Sequence, residues 1–593
     1  MLTSRGYWFF VPTIAMLAVA VLLGATPLVL VGLTLLFWFL GAWFVFQARV
    51  RLSVLRLRVE RSLRTARGEV QSIWARQLVE VAVTLHNDGV ELPYAVMTDR
   101  LPALAEARDG KLRSDGVLAK ATPLKLSYAI QCRAAGVLRF EGVKVELADL
   151  QGFFTYAVFV RNSREYRVLP QLTVEASHAP FVKLHNILPL LGTHRHARPG
   201  GSSELLNLRD YIPGDPPRTI AWKISARRER LITKEFESEV PIRCTVFLDT
   251  SNSVRVGPVG QTALCRLVEI AAGIAQANIS ARDLTGLWLF DRNGVTRQIK
   301  AGRGGKHFLQ MLGILTDVAG LTPCSPRVTV RELLPVAYGL AQDVYPEWLD
   351  RDWNHFPVWL PLWSPQPRWT IPRGAPRPWS RFLPWYHREY RWRKELAAIL
   401  SVRYRLGPGG LAMLLEDDQS CAMYLQRFLG DHQVAAPISL YDHHGRYLFA
   451  EPHKAKVLAD ALLRAILHGK DNELFVLCVD LLHATDELSA LERAVCVAKA
   501  RHHQVLVICP WPAGVPKPGS TLEPISTLDA YLHRGVDRLL EQVCTDQLHA
   551  AFAQVQHAFG RIGVPVLCAA EKDPVAWILH RMRRLRVQER GVR

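Results

Sequence analysis

Asp249, Ser251 and Ser253 form a D-x-S-x-S loop that closes the apolar run 245–248. One carboxylate and two hydroxyls at alternating positions of a turn can converge on one point, and such hard oxygen donors suit Mg²⁺ better than a softer metal. The plainer role of these hydroxyls is to bond nearby backbone N–H groups. A second polar cluster lies just upstream: Arg209, Tyr211, Gly214, Asp215, Arg218, Trp222, Lys223, Ala226 and Arg227. Asp215, Arg218 and Arg227 could make an active site near Asp249. No nucleophile–base pair, Walker A loop or H-E-x-x-H accompanies them, so the chain reads as non-enzymatic. Salt bridges to Glu235, Glu237 or Glu239 are the plainer role for the two arginines.

The elements that must position these groups follow from local rules. Pro213-Gly214 predicts a type II turn. Asp215 is then expected as a helix N-cap, with Pro216 at the first helical position. Ile220 and Ile224 give the short helix an apolar face, and Trp222 is expected to plug it onto a sheet. Around the D-x-S-x-S loop the chain alternates, with strands at 245–248, 287–290, 474–479, 505–509 and 564–569. Helices are expected at 262–277, 306–318, 488–502 and 574–584. Such alternation predicts a mostly parallel sheet covered on both faces. Ligands on these sheets sit beyond the carboxyl ends of the strands, where Asp249 and Asp480 both fall.

The order R-x-Y-x-x-G-D-x-x-R-x-I-x-W-K-x-x-A-R over 209–227, then L-x-x-K-E-x-E, then a strand ending D-T-S, resembles a bacterial and archaeal family catalogued as domain of unknown function fifty-eight. The resemblance implies a von Willebrand factor A-like domain over 241–320 and 471–586, with the signature box at 200–240. It also implies a membrane anchor and a MoxR-type AAA+ ATPase as partner. In that fold Asp249, Ser251, Ser253 and Asp480 match the metal-ion-dependent adhesion site. The expected Thr is missing from Gly302-Arg303-Gly304-Gly305-Lys306, and the cation of Lys306 would repel a metal there. The family commonly has Asp before the Trp, where this chain has Ala221. Residues 148–154 resemble the family's D-P-F-G-L-F turn, with Leu150 and Gln151 replacing Pro and Phe.

The rest of the chain sets the compartment. Its 593 residues carry 73 basic against 54 acidic side chains, a net charge of +19. Residues 7–46 are almost continuously apolar and break only at Gly24-Ala25-Thr26-Pro27, which predicts a hairpin of two transmembrane helices. Arg5 precedes it, and Arg49, Arg51, Arg56, Arg58, Arg61, Arg64 and Arg67 follow, so the positive-inside rule puts both ends in the cytoplasm. Ten cysteines without a C-x-x-C pair agree with a reducing compartment. Short alternating runs over 52–175 predict an immunoglobulin-like β-sandwich.

Residues 323–470 interrupt the α/β alternation as an insertion that is rich in Trp, Pro and Arg at first and reads as helical at 395–406, 411–429 and 453–468. Its first part holds Trp348, Trp353, Trp359, Trp363, Trp369, Trp379, Trp385 and Trp392 among arginines. Trp and Arg suit a protein–protein hot spot, a membrane interface with anionic lipid, or base stacking. No nucleic-acid fold motif supports the last. Asp442-His443-His444 is expected at the surface. The expectation for the whole is a membrane-anchored multidomain adaptor in the bacterial inner membrane, its soluble domains cytoplasmic. It would bind a partner protein through the von Willebrand-like domain. The alternatives are a binder of anionic lipid or nucleic acid through the insertion and, more remotely, an enzyme.

Overall fold

A computed structural model gives the architecture. It describes the chain apart from residues 1, 66–67, 121, 173–194, 240–242, 259, 322–327, 346–348, 350–385, 408, 433, 435–450, 452, 469–472, 484–487, 519–534, 571–572 and 574–593, and apart from the side chains of 195–207, 235–239, 386–388 and 535–541. Two units are formed, one from 1–169 with 322–440, the other from 170–321 with 441–593.

The chain opens with α1 (Ser4–Leu22) and α2 (Thr26–Val54), each long and apolar enough to cross a membrane. Thr3 caps α1 through its hydroxyl, and Pro27 occupies the first turn of α2, where its missing N–H costs nothing. Gly24, at φ 65°, makes the reversal that a side chain would strain. The helices extend beyond the expected 7–46. The last turns of α2 run without a linker into the next module, where Phe39, Phe46, Val50 and Val54 join its core.

That module has ten strands: β1 (Leu57–Thr65), β2 (Gly68–Glu69), β3 (Ser72–Trp74), β4 (Leu78–Asn87), β5 (Leu92–Asp99), β6 (Ala105–Gly110), β7 (Arg113–Leu118), β8 (Leu124–Cys132), β9 (Gly136–Ala148) and β10 (Thr155–Leu169). They form two five-stranded sheets, ordered β2-β1-β4-β8-β6 and β3-β10-β9-β5-β7, around one apolar core. Alternation puts Val79, Val81, Val83 and Leu85 of β4 inside. Arg61 flanks the hairpin in sequence, yet it lies fully buried with its guanidinium on Asp99 and over the Phe140 ring. The turn at 149–154 sends Phe153 and Phe154 onto Phe9, Trp38, Phe39 and Phe46. Thr3 donates its N–H to the Phe153 carbonyl at 2.9 Å. This turn therefore joins sandwich and hairpin.

Next come β11 (Arg195–Asp210), α3 (Trp222–Arg228) and β12 (Ile232–Glu239), with β11 and β12 paired antiparallel. Then follow β13 (Arg243–Asp249), α4 (Asn252–Arg255), α5 (Ala263–Ser280), β14 (Leu284–Asp291), β15 (Gly294–Gly302) and α6 (Gly305–Ala319). The chain now supplies α7 (Val330–Val344), α8 (Tyr386–Arg403), α9 (Gly410–Glu416) and α10 (Asp418–Asp431) to the first unit. These helices share a core of Leu333, Tyr338, Leu400, Leu425 and Phe428. Glu141 of β9 receives them, accepting from the Tyr345 hydroxyl at 2.7 Å and pairing with Arg403.

The chain returns through α11 (Lys454–His468), β16 (Leu474–Cys478), α12 (Leu488–Ala500), β17 (Gln504–Pro510), α13 (Gly535–Arg561) and β18 (Val566–Ala569). The second unit's sheet has the order β15-β14-β13-β16-β17-β18, parallel except for the edge strand β15. Its central strands are continuous apolar runs because both faces are covered. From one side α11, α12 and α13 place Leu458, Leu462, Leu491, Val495 and Phe559 against Phe247, Phe475 and Val507. The expected insertion of 323–470 thus divides: its first helices belong with the sandwich, whereas α11 is a covering helix of the parallel sheet. The expected helix at 574–584 and the Asp442-His443-His444 stretch lie outside the described residues.

Candidate functional site

β13 and β16 lie side by side, and from β13 the strand order runs to β14 on one side and to β16 on the other. This is the switch point of an open α/β sheet, where a crevice forms beyond the carboxyl ends. Asp249 ends β13 there, and Asp480 stands two residues beyond β16. The Asp480 N–H donates to Asp249 Oδ2 at 3.3 Å. The loop after β13 is pinned by Thr250, whose N–H and hydroxyl both donate to the Phe290 carbonyl at 2.9 Å. Ser251 N–H turns back onto Asp249 Oδ1 at 2.9 Å, and the Ser251 and Ser253 hydroxyls lie 3.0 Å apart. The four residues expected to share a metal are therefore brought together, and all are buried.

A fifth group stands among them. Lys454, the first residue of α11, puts its Nζ 2.8 Å from Ser253 Oγ, 3.2 Å from Asp249 Oδ2 and 3.5 Å from Asp480 Oδ2. Only 1% of the residue is exposed. Burial pushes its pKa down, but the carboxylates of Asp249 and Asp480 more than reverse this, so the ammonium is held above the usual lysine range. Burial raises the Asp480 carboxyl, and Lys454 with His483 overcomes that and lowers it. A divalent ion needs the oxygens that this ammonium holds, and two cations at one point repel. The Mg²⁺ expectation thus meets a competitor, and it is not Lys306, which is exposed on the first turn of α6. Ser253 and Lys454 also have the spacing of a nucleophile–base pair. Two carboxylates keep the amine charged, however, and a charged amine takes no proton.

The signature box is built differently from its expected form. Asp215 caps no helix. Its carboxylate accepts from Arg209 at 2.8 Å, from the Ile212 N–H and from the Thr233 hydroxyl, both at 3.2 Å. The Arg209 bond leads in lowering its pKa. A 3-10 turn at Pro217–Thr219 follows, and α3 starts only at Trp222 with Ala221 as an N-cap that supplies no side-chain bond. Tyr211 N–H to the Leu231 carbonyl at 2.9 Å and Ala221 N–H to the Ile232 carbonyl at 2.8 Å tie turn, helix and β12 into one small module.

Ile220 and Ala221 are its buried face. Trp222 is not a plug: it is 63% exposed, as Ile212 and Leu231 are exposed. It lies two residues from both Ile220 and Ile224, off the face they share. Arg218, Lys223, Arg227, Arg228, Arg230 and Lys234 are exposed too, against Asp210 and Glu229 of opposite sign. Gly214 takes the positive φ of 111° expected of the turn. The side chains of Glu235, Glu237 and Glu239, the expected partners of Arg218 and Arg227, lie outside the described residues, as do Trp348 through Trp385. Trp392 is half-buried and stacks on Tyr338 with centroids 4.9 Å apart.

Sequence reasoning missed Lys454, whose signal was present. A lysine at the first position of a helix, with no acidic residue in that turn, opposes the helix dipole.

Residues 207–339 match the family model described as "Protein of unknown function DUF58". The match takes in the box and the D-x-S-x-S loop and ends before Lys454 and Asp480. Over 267 residues the chain is 26% identical to the "Uncharacterized protein YeaD" of Bacillus subtilis (strain 168), covering 40% of this chain and 62% of that protein. The chain thus spans under two thirds of the length of the curated relative it matches.

Proposed function

We propose that this chain, a member of the DUF58 family, is a non-enzymatic, membrane-anchored adaptor that holds an acidic partner protein through the signature box. The hairpin of α1 and α2 is its anchor in the inner membrane. Both ends of that hairpin, and the soluble domains, are cytoplasmic. The parallel-sheet unit is a von Willebrand factor A-like platform that carries the box. A MoxR-type AAA+ ATPase is the partner to which the family resemblance points.

One observation carries the reading: Trp222, 63% exposed, stands on a short helix among exposed cations. Trp and Arg are the side chains that dominate protein–protein hot spots, and surrounding charge selects and steers the partner. The test measures the affinity of the detergent-solubilised chain for the purified MoxR-type ATPase of the same organism. Trp222→Ala and Arg227→Glu should each weaken binding by roughly 30-fold, the effect of losing a hot spot of about 2 kcal/mol. Equal affinity in wild type and both variants, or no binding by the wild type, would refute the proposal.

A further inference from the structure

We infer that the site at the end of β13 carries its own cation: the Lys454 ammonium takes the place of a divalent ion, and the loop holds its shape without metal. The first ground is saturation. Asp249 Oδ1 accepts from Ser251 N–H, and Asp249 Oδ2 from Lys454 and the Asp480 N–H. Asp480 Oδ1 accepts from the Leu482 N–H at 3.1 Å, and Asp480 Oδ2 faces the ammonium. Every carboxylate oxygen of the set therefore has a protein partner, and Ser253 Oγ is within hydrogen-bond distance of both Lys454 and Ser251.

The second ground is placement. Leu458, Ala459 and Leu462 lock the helix into the sheet's core and so fix the Lys454 backbone, while the side chain is itself buried and bonded to Ser253 and Asp249. Its position at the start of α11 is unfavourable by local rules, since the helix dipole disfavours a cation there. The two carboxylates supply the compensation.

The third ground is exclusion. Mg²⁺ binds oxygen at about 2.0–2.1 Å in an octahedral shell. Drawn onto Asp249 Oδ2, Ser253 Oγ and Asp480 Oδ2, it would fall on the region that Nζ occupies. The consequence is a platform whose loop is set permanently, rather than switched by divalent ion as a metal-dependent adhesion site would be.

The experiment follows thermal unfolding of the detergent-solubilised full chain at fixed ionic strength, with and without millimolar Mg²⁺ or Mn²⁺, in wild type and Lys454→Met. The wild type should show no shift. Lys454→Met should melt lower without metal and recover by several degrees with it, because the freed oxygens now need a cation. A wild-type shift that Asp249→Asn abolishes would overturn the inference. So would a Lys454→Met protein that ignores both ions. If Lys454→Met does not fold, the double variant Lys454→Met/Asp249→Asn decides by charge matching: recovered folding supports the inference and failure overturns it. Mn²⁺ titration of the wild type by electron paramagnetic resonance gives the independent readout. Stoichiometric binding lost in Asp249→Asn overturns the internal cation, and its absence supports it.

Discussion

The helices that the chain returns to the sandwich unit are held by a charged cluster with one titratable member of unusual acidity. His432, just after α10, has its Nε2 3.0 Å from the Tyr345 hydroxyl, which in turn donates to Glu141. Burial, with Arg403 and Arg100 nearby, pushes the His432 pKa down from 6.5 to about 3. The ring stays neutral in the folded unit and becomes charged in the opened chain as the pH falls through 6.5. Stability is therefore present above the unfolded value and is lost as protons load the open state. The loss is roughly 1.4 kcal/mol per pH unit below 6.5, or about 2 kcal/mol by pH 5.

His432 lies in one of the two units, so a local readout isolates its effect from the other. Hydrogen exchange of the amides of α7 and α10 reports the local opening. In the wild type their protection should fall between pH 7 and pH 5 after correction for intrinsic exchange. His432→Gln keeps a donor toward Tyr345 but cannot titrate, so its protection should be nearly level over that window. The same slope in both proteins would refute the reasoning, because the remaining histidines contribute equally to the two.

Three further outcomes are expected. Trp222→Ala should change the thermal stability of the soluble part by no more than about 0.5 kcal/mol, as an exposed substitution does; a large loss in calorimetry would make it a packing residue after all. Arg61→Met should cost about 3–5 kcal/mol by leaving Asp99 buried without its countercharge. Arg61→Met/Asp99→Asn should recover much of that in denaturant titration, and no recovery would count against the pairing. A fluorescent reporter that folds only in the cytoplasm, fused after Arg593, should light up; activity of a periplasm-dependent reporter at that point would reverse the proposed orientation.

What was legible in the sequence follows from the range of each interaction. Strands such as those read at 245–248 and 474–479 announce themselves because burial on both faces demands unbroken apolar runs. Their carboxyl ends then locate Asp249 and Asp480 together without any knowledge of the residues between. Lys454 escaped because it lies 205 positions from Asp249 in the chain, in a stretch whose Trp- and Pro-rich beginning suggested a single separate insertion. Helical periodicity at 453–468 is readable, but nothing in a period says which core a helix joins.

Trp222 failed for the opposite reason. The local rule, its offset from Ile220 and Ile224, places it off the buried face, against the general preference of tryptophan for burial. If the cation at the switch point is part of the chain, a partner cannot be recruited by completing a metal's coordination there. The proposed adaptor role must then use a surface that the fold leaves open. The box meets that condition: its polar residues Arg209, Asp215 and Thr233 are spent on one another, while Trp222 and the cations beside it are turned outward.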